Sequence, residues 1–215
     1  MSSVPAVTVC GVGWIDAREH GQVRKGLRRD GAFAGGGRAV KSFGRFDAAS
    51  KAACRAAALA LDDAGLGDPP AGRQGIGVIG TGFAGCLTTN LDYFKDYVRC
   101  GRTLARGNLF IYTLPTSALA EAAIHFGLEG PLMYVLSPDG PLPTALEMAG
   151  GMIRRGEASA MLVVWAEEPG AACFVVSGDA GAGAAVEKVV EIARQKAAQP
   201  ELIAALGGLF ETDES

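Results

Sequence analysis

Short runs of β-branched residues alternate with helix-patterned stretches from Val4 to Ser177, and this alternation confines the chain to a layered α/β architecture. Val4 to Gly13 reads as a buried first strand carrying Val7, Val9 and Val12, and a loop-rich stretch follows it. Asp47 to Leu66, DAASKAACRAAALALDDAGL, is the strongest helix: Asp47 caps it, alanine fills it, and Gly65 with Pro69 and Pro70 marks its exit. An alanine face of this kind implies close approach to whatever it packs on. Gly75 to Thr81 is a second strand, and Thr88 to Cys100 a second helix with Leu91, Tyr93, Phe94 and Val98 on its apolar side. A third helix, capped by Thr116 or Ser117, runs to Gly127. A strand at Leu132–Ser137, a helix at Thr144–Arg155 and two strands at Ala160–Ala166 and Ala172–Ser177 come next. The order predicts a mostly parallel sheet with one antiparallel pair near its end. Ala185 to Ala198 sets Val186, Val189, Val190 and Ala193 on one helical face, and Pro200 opens a terminal helix through Leu206.

With 215 residues, 49% of them hydrophobic, the chain is long enough to bury one sizeable core. A formal charge of −3 gives no overall electrostatic reason to bind nucleic acid, and the basic run Arg24 to Arg29 reads as a solvated face. No run approaches the roughly 20 apolar residues of a membrane span, and the N-terminus lacks the basic region of a signal peptide. A cytoplasmic protein without a membrane span is expected. The five cysteines (Cys10, Cys54, Cys86, Cys100, Cys173) are scattered and form no CxxC pair, so no zinc site, disulfide framework or cofactor is expected.

Gly80-Thr-Gly82-Phe-Ala-Gly85 matches GxGxxG between a strand and a helix, where backbone N–H groups meet phosphates in dinucleotide sites. The acidic residue that completes such a site about 20 positions on is absent, so a tight structural turn is expected. The overlapping Gly75-Ile-Gly77-Val-Ile-Gly80 lies inside the strand itself and forms no such turn. His125, beside Phe126 on an apolar helix, reads as a core or interface residue, with acid/base catalysis as the other option. The sequence contains no GxSxG nucleophile elbow.

The segments IGVIGTGFAGCLTTNLDYF, LPTSALAEAAIHFGLEGP and LMYVLSPDGPLPTALEMAGGMIRRGEASAMLVVWAEE resemble, in order and spacing, the N-terminal half of the β-ketoacyl synthases. His125-Phe-Gly-Leu-Glu-Gly-Pro131 and Ile153-Arg-Arg-Gly-Glu157 are the most specific pieces. The resemblance implies an α/β, thiolase-like half-domain over residues 1–178, layered α-β-α with a mostly parallel five-stranded sheet. Residues 179–215 are then a helical extension and not a separate domain. In that family a nucleophilic cysteine follows the strand after the Gly-Pro turn, in a pattern like T-A-C-S-S-S-L-T-A-L. Setting Thr144-Ala145-Leu146 on the end of that pattern puts Asp139 at the nucleophile position, with Ser137 and Pro138 before it. The cysteine is absent.

A carboxylate is a poor acyl acceptor, since it gives a labile anhydride where a thiolate gives a thioester. Pro141 and Pro143 also replace the family's small residues in the first turn of the helix. The family's second half, which supplies two histidines for decarboxylation, has no counterpart after residue 178. The resemblance therefore implies a protein of fatty-acid or polyketide-type biosynthesis without condensing activity of its own, acting as chain-length factors do or docking an acyl carrier protein. It implies a homodimer or a heterodimer with a full-length ketosynthase, paired along Leu132–Ser137. The alternative is a cysteine-independent thioester hydrolase or decarboxylase that uses Asp139, Ser137 or His125.

Overall fold

The structure is a computed structural model that describes residues 6–30, 43–66, 75–102, 106–167, 170–179, 183–196 and 198–210. Val4, Pro69 and Pro70, which the sequence reading used as strand and helix boundaries, lie outside them. Among the described residues the strands are β1 (Thr8–Ile15), β2 (Glu19–Gln22), β3 (Leu27–Asp30), β4 (Ile76–Thr81), β5 (Leu132–Val135), β6 (Ala160–Glu167), β7 (Gly170–Ser177) and β8 (Ala184–Ala185). The helices are α1 (Ala48–Asp63), α2 (Leu87–Arg99), α3 (Gly107–Phe110), α4 (Ser117–Phe126), α5 (Pro141–Arg154), α6 (Val186–Gln195) and α7 (Gln199–Phe210).

Close packing of α1 on β1 follows directly from composition. A Cβ added at Gly11 or Gly13 would lie 2.5 Å or less from the backbone of Ala60, so only glycine lets the helix come this near. The buried alanines Ala53, Ala56, Ala57 and Ala60 form the facing surface. Asp47 caps the helix as expected, its carboxylate accepting from the Ser50 N–H at 2.8 Å. A bulge between Val9 and Gly11 re-phases β1, so that Val9, Val12 and Trp14 face the opposite layer from the two glycines.

The sheet runs β3-β2-β1-β7-β6-β4-β5, with β8 beside β1. Among the described residues only β6–β4 and β4–β5 pair in parallel, and the remaining pairs are antiparallel. The layered α/β class stands, but the sheet is mixed and eight-stranded where a mostly parallel, five-stranded one was expected. β7 enters between β6 and β1 against the direction of both, which removes parallel pairing from the sheet's centre. The added strands β2 and β3 come from the stretch read as loop. That hairpin shows no apolar alternation because polar ties hold it. Buried Asp63 accepts from the backbone N–H groups of Val12 (2.8 Å), Arg24 (3.1 Å) and Lys25 (2.9 Å), and Gln22 Nε2 donates to the Leu59 carbonyl at 2.9 Å.

Helices cover both faces. On one, α1 and α4 bury Ala57, Leu61, Leu119 and Phe126 against Val78, Leu162, Val164 and Val175. On the other, α5 packs Leu142, Leu146 and Met152 against Val163, Trp165 and Phe174, and α6 and α7 close over it with Val186, Val189, Val190, Leu202 and Leu206. Arg154–Glu187 and Arg194–Glu147 ion pairs clip α6 to α5. No helix among the described residues is long and apolar enough to cross a membrane.

The C-terminal helices share a core with α5, so we propose that they unfold in one step with the rest of the chain. Leu206→Ala, at a fully buried position, is expected to lower the stability of a single denaturant transition by about 2–4 kcal/mol. A separate second transition, or an unchanged midpoint, would contradict this.

Candidate functional site at the turn before α5

The chain leaves β5 at Val135, turns through residues 136–140 and enters α5 at Pro141. Ser137 is half-buried, and Leu136, Pro138 and Asp139 are exposed. Gly140, with φ 111°, makes a backbone turn that few other residues adopt. Proline suits the first helical position because its φ is already helical, which is why α5 begins three residues before the Thr144 read from sequence. The two prolines have a chemical consequence. Of residues 141–143, only Leu142 retains a backbone N–H, whereas an ordinary helix start offers three donors to an anion. The next N–H, of Thr144, is bonded to the Gly140 carbonyl at 3.4 Å, and the Thr144 hydroxyl donates to the same oxygen at 2.9 Å.

The structure thus brings Ser137 and Asp139 into one turn. It keeps His125 apart from them: this side chain lies in the last turn of α4, its ring edge-on to Phe126 at 4.7 Å, and α4 packs on the opposite face of the sheet from α5.

The glycine-rich turn between β4 and α2 is filled by protein atoms. The space a Cβ would take at Gly80 holds Leu119, that at Gly82 holds the Ala166 carbonyl, and the Phe83 N–H donates to the Glu167 carboxylate. Sequence reasoning missed Glu167, although a charge ending so apolar a strand is itself a signal. Cys86, at the start of α2, donates its Sγ proton to the Thr113 carbonyl at 2.9 Å and accepts from Asn90 Nδ2 at 3.1 Å. With Asp47, Tyr112, Ser117 and Tyr134 it lines a crevice of about 20 Å³, room for a single water. Burial raises the pKa of Cys86, as it does for Cys10, Cys54 and Cys173, with Cys54 pushed up to about 12. These four thiols are protonated at neutral pH and are poor nucleophiles. Burial, with Glu167 and Cys86 nearby, likewise pushes the Tyr134 hydroxyl up to about 12.

A larger groove, of about 510 Å³, lies between Trp14, Val23 and Leu27 on one side and Ile203 and Ala204 of α7 on the other. Neither it nor the crevice is lined by Ser137 or Asp139. No cluster of three or more metal-binding side chains occurs among the described residues.

Among the described residues, β5 is the outermost strand on its side of the sheet. The Val78 N–H donates to the Pro131 carbonyl at 2.7 Å, which sets the phase of the parallel ladder. Leu132 and Tyr134 consequently turn their own N–H and C=O groups outward, beside Leu136, which is 68% exposed. An unpaired edge of this kind is a template for another strand.

The family model described as β-ketoacyl synthase, N-terminal domain, matches residues 22–192. No curated protein matches the chain. Among solved structures, the chain is similar to the ishigamide ketosynthase/chain length factor, with 19% identity and a TM-score of 0.58 over 83% of this chain and 64% of that one. It is also similar to AntDE:AntF, a type II polyketide synthase acyl-carrier protein in complex with its ketosynthase, with 13% identity and a TM-score of 0.59 over 81% of this chain and 58% of that one. A third similar structure is the ketosynthase ApeO in complex with its chain length factor ApeC from Xenorhabdus doucetiae, with 15% identity and a TM-score of 0.52 over 67% of this chain and 63% of that one. The chain therefore spans about three-fifths of the length of these relatives, and at such identities the likeness is one of fold. A family match across most of the sequence, on a layered α/β sheet, establishes that the chain belongs to the β-ketoacyl synthase family and carries its thiolase-like N-terminal half-domain.

Proposed function

We propose that this chain is a cytoplasmic, ketosynthase-like subunit of fatty-acid or polyketide-type assembly that performs no condensation by itself. It acts by pairing with another ketosynthase-like chain along β5 and by docking an acyl carrier protein, in the manner of a chain-length factor. The observation that carries the reading is the β5–α5 turn. It presents an exposed carboxylate, Asp139, at the position the resemblance gives to the family's thiol, and Pro141 and Pro143 remove two of the three backbone donors there. Partnership is supported by the open edge of β5 and by similar structures that are themselves ketosynthase/chain-length-factor pairs or a ketosynthase with its carrier.

Turnover separates this from hydrolysis or decarboxylation of thioesters at the same turn. Incubated with malonyl and acyl thioesters, the protein is expected to release no free acid or CO₂ above the buffer rate, and Asp139→Asn to change nothing. Turnover that disappears in Asp139→Asn would overturn the proposal and make Asp139, with Ser137, a catalytic pair.

Pairing is tested at Tyr134, whose N–H points away from β4 and whose loss as a donor leaves the internal ladder whole. Tyr134→Pro is expected to reduce the native mass of the complex to that of separate chains, while far-UV circular dichroism stays that of the folded protein. A complex of unchanged mass would contradict pairing along this edge.

A further inference from the structure

The groove between the β2–β3 hairpin and α7 takes no part in the β5–α5 turn. Trp14, Val23 and Leu27 form one apolar wall, and Pro200, Ile203 and Ala204 of α7 form the other. Its volume, about 510 Å³, falls within the roughly 300–1,000 Å³ of small-molecule sites, which are mostly apolar with a few polar groups that orient the ligand. Each wall is anchored in the core. Buried Asp63 holds the hairpin through the N–H groups of Arg24 and Lys25, while fully buried Leu202 and Leu206 hold α7. Gln199 Nε2 adds a bond to the Ala171 carbonyl at 3.0 Å.

Among the described residues, the charged side chains of this lining are Asp16, Glu19, Glu167 and Arg28. Arg28 is taken up by Glu19, which accepts from both Nε and a terminal nitrogen, and its guanidinium lies 5.9 Å from the Trp14 ring centroid. Asp16 and Glu167 have no such counter-charge. Asp16 Oδ1 accepts from the N–H groups of Arg18 and Glu19 at 2.7 and 2.8 Å, and Glu167 Oε1 accepts from that of Phe83. Neither carboxylate joins an ion pair among the described residues. Both are half-buried and flank Gly170, which pairs with Glu167 and at which an added Cβ would lie 3.4 Å from the Asp16 Cα. One end of an apolar groove therefore carries two negative charges without a cation.

We infer that this groove binds a small organic cation with an apolar body, a long-chain primary amine being the simplest case. The chain lies between Leu27 and Ile203, and the ammonium meets Asp16, with Glu167 as the second carboxylate of that end. An anion has no equivalent partner there. Arg28 is engaged by Glu19, Pro200 at the start of α7 has no N–H, and the Leu202 N–H is bonded to the Ala198 carbonyl at 3.1 Å. The inference goes beyond pairing along β5 and does not depend on it.

Calorimetric titration of the full chain with decylamine, decanol and decanoate, which share one chain length and differ in charge, tests this. Decylamine is expected to bind at one molecule per chain, decanol about tenfold or more weakly, and decanoate more weakly still. Asp16→Asn, which keeps the acceptor for the two backbone N–H groups, is expected to bring decylamine down to the affinity of decanol. Should that variant disturb folding, Ala204→Trp, at an exposed position of α7, fills the groove and is expected to abolish binding with an unchanged melting temperature. Absence of decylamine binding, decanoate binding at least as tight as that of the amine, or amine binding indifferent to both variants would overturn the inference.

Discussion

Burial of the two central strands on both faces is the constraint from which the remaining architecture follows. Every residue of β7 is buried, as are Ala160 to Trp165 of β6, and their side chains alternate between the two hydrophobic clusters. Such strands need a helical layer on each side. The sequence supplies one layer early, through α1 and α4, and the other late, through α5, α6 and α7. Glycine at Gly11 and Gly13 lets the first layer approach to backbone contact, and Val186, Val189 and Val190 of α6 close the second over α5. Pairing continues outward from the centre until β5, where one side of the strand has no neighbour among the described residues.

The same arrangement decides what chemistry the β5–α5 turn can support. A helix end facing a strand terminus is a favourable place for a developing negative charge, provided that its first N–H groups are free. Here two of the three are replaced by proline, and the carbonyl of Gly140 is occupied by both the N–H and the hydroxyl of Thr144. The start of α5 is thereby depleted in free backbone donors. Elsewhere the thiols of Cys10, Cys54, Cys86 and Cys173 have raised pKa values. The outward row of β5 is suited to contact with another chain.

How much of this was legible in the sequence depended on the kind of interaction holding each element. Helices α1, α4, α5 and α6 showed as apolar periodicity, because each packs one apolar face onto the sheet or onto the helix beneath it. The β2–β3 hairpin did not show, because Asp63 and Gln22 hold it through backbone groups and leave no hydrophobic pattern. The antiparallel insertion of β7 was hidden for another reason: pairing between β1 and β7 joins residues about 160 positions apart, and local pattern carries no information on direction. The apolar side of α2 was visible, but periodicity reports that such a face exists and not what covers it. Hydrogen bonds made by the buried Thr89 and Asp96 turned it outward. At the candidate site, the resemblance pointed to Asp139 and Ser137 as an expectation, and the prolines signalled an altered turn. The contact between Glu167 and the Phe83 N–H spans 84 positions and had no sequence signal beyond a charge at the end of a strand.

The central claim, that this half-domain binds acyl-chain machinery without accepting the acyl group, is tested most directly by native mass spectrometry of the purified protein mixed with acyl-loaded carrier protein and a full-length ketosynthase. The account predicts a non-covalent assembly from which the chain is released at its unmodified mass. A chain that carries the acyl group covalently after dissociation would contradict it.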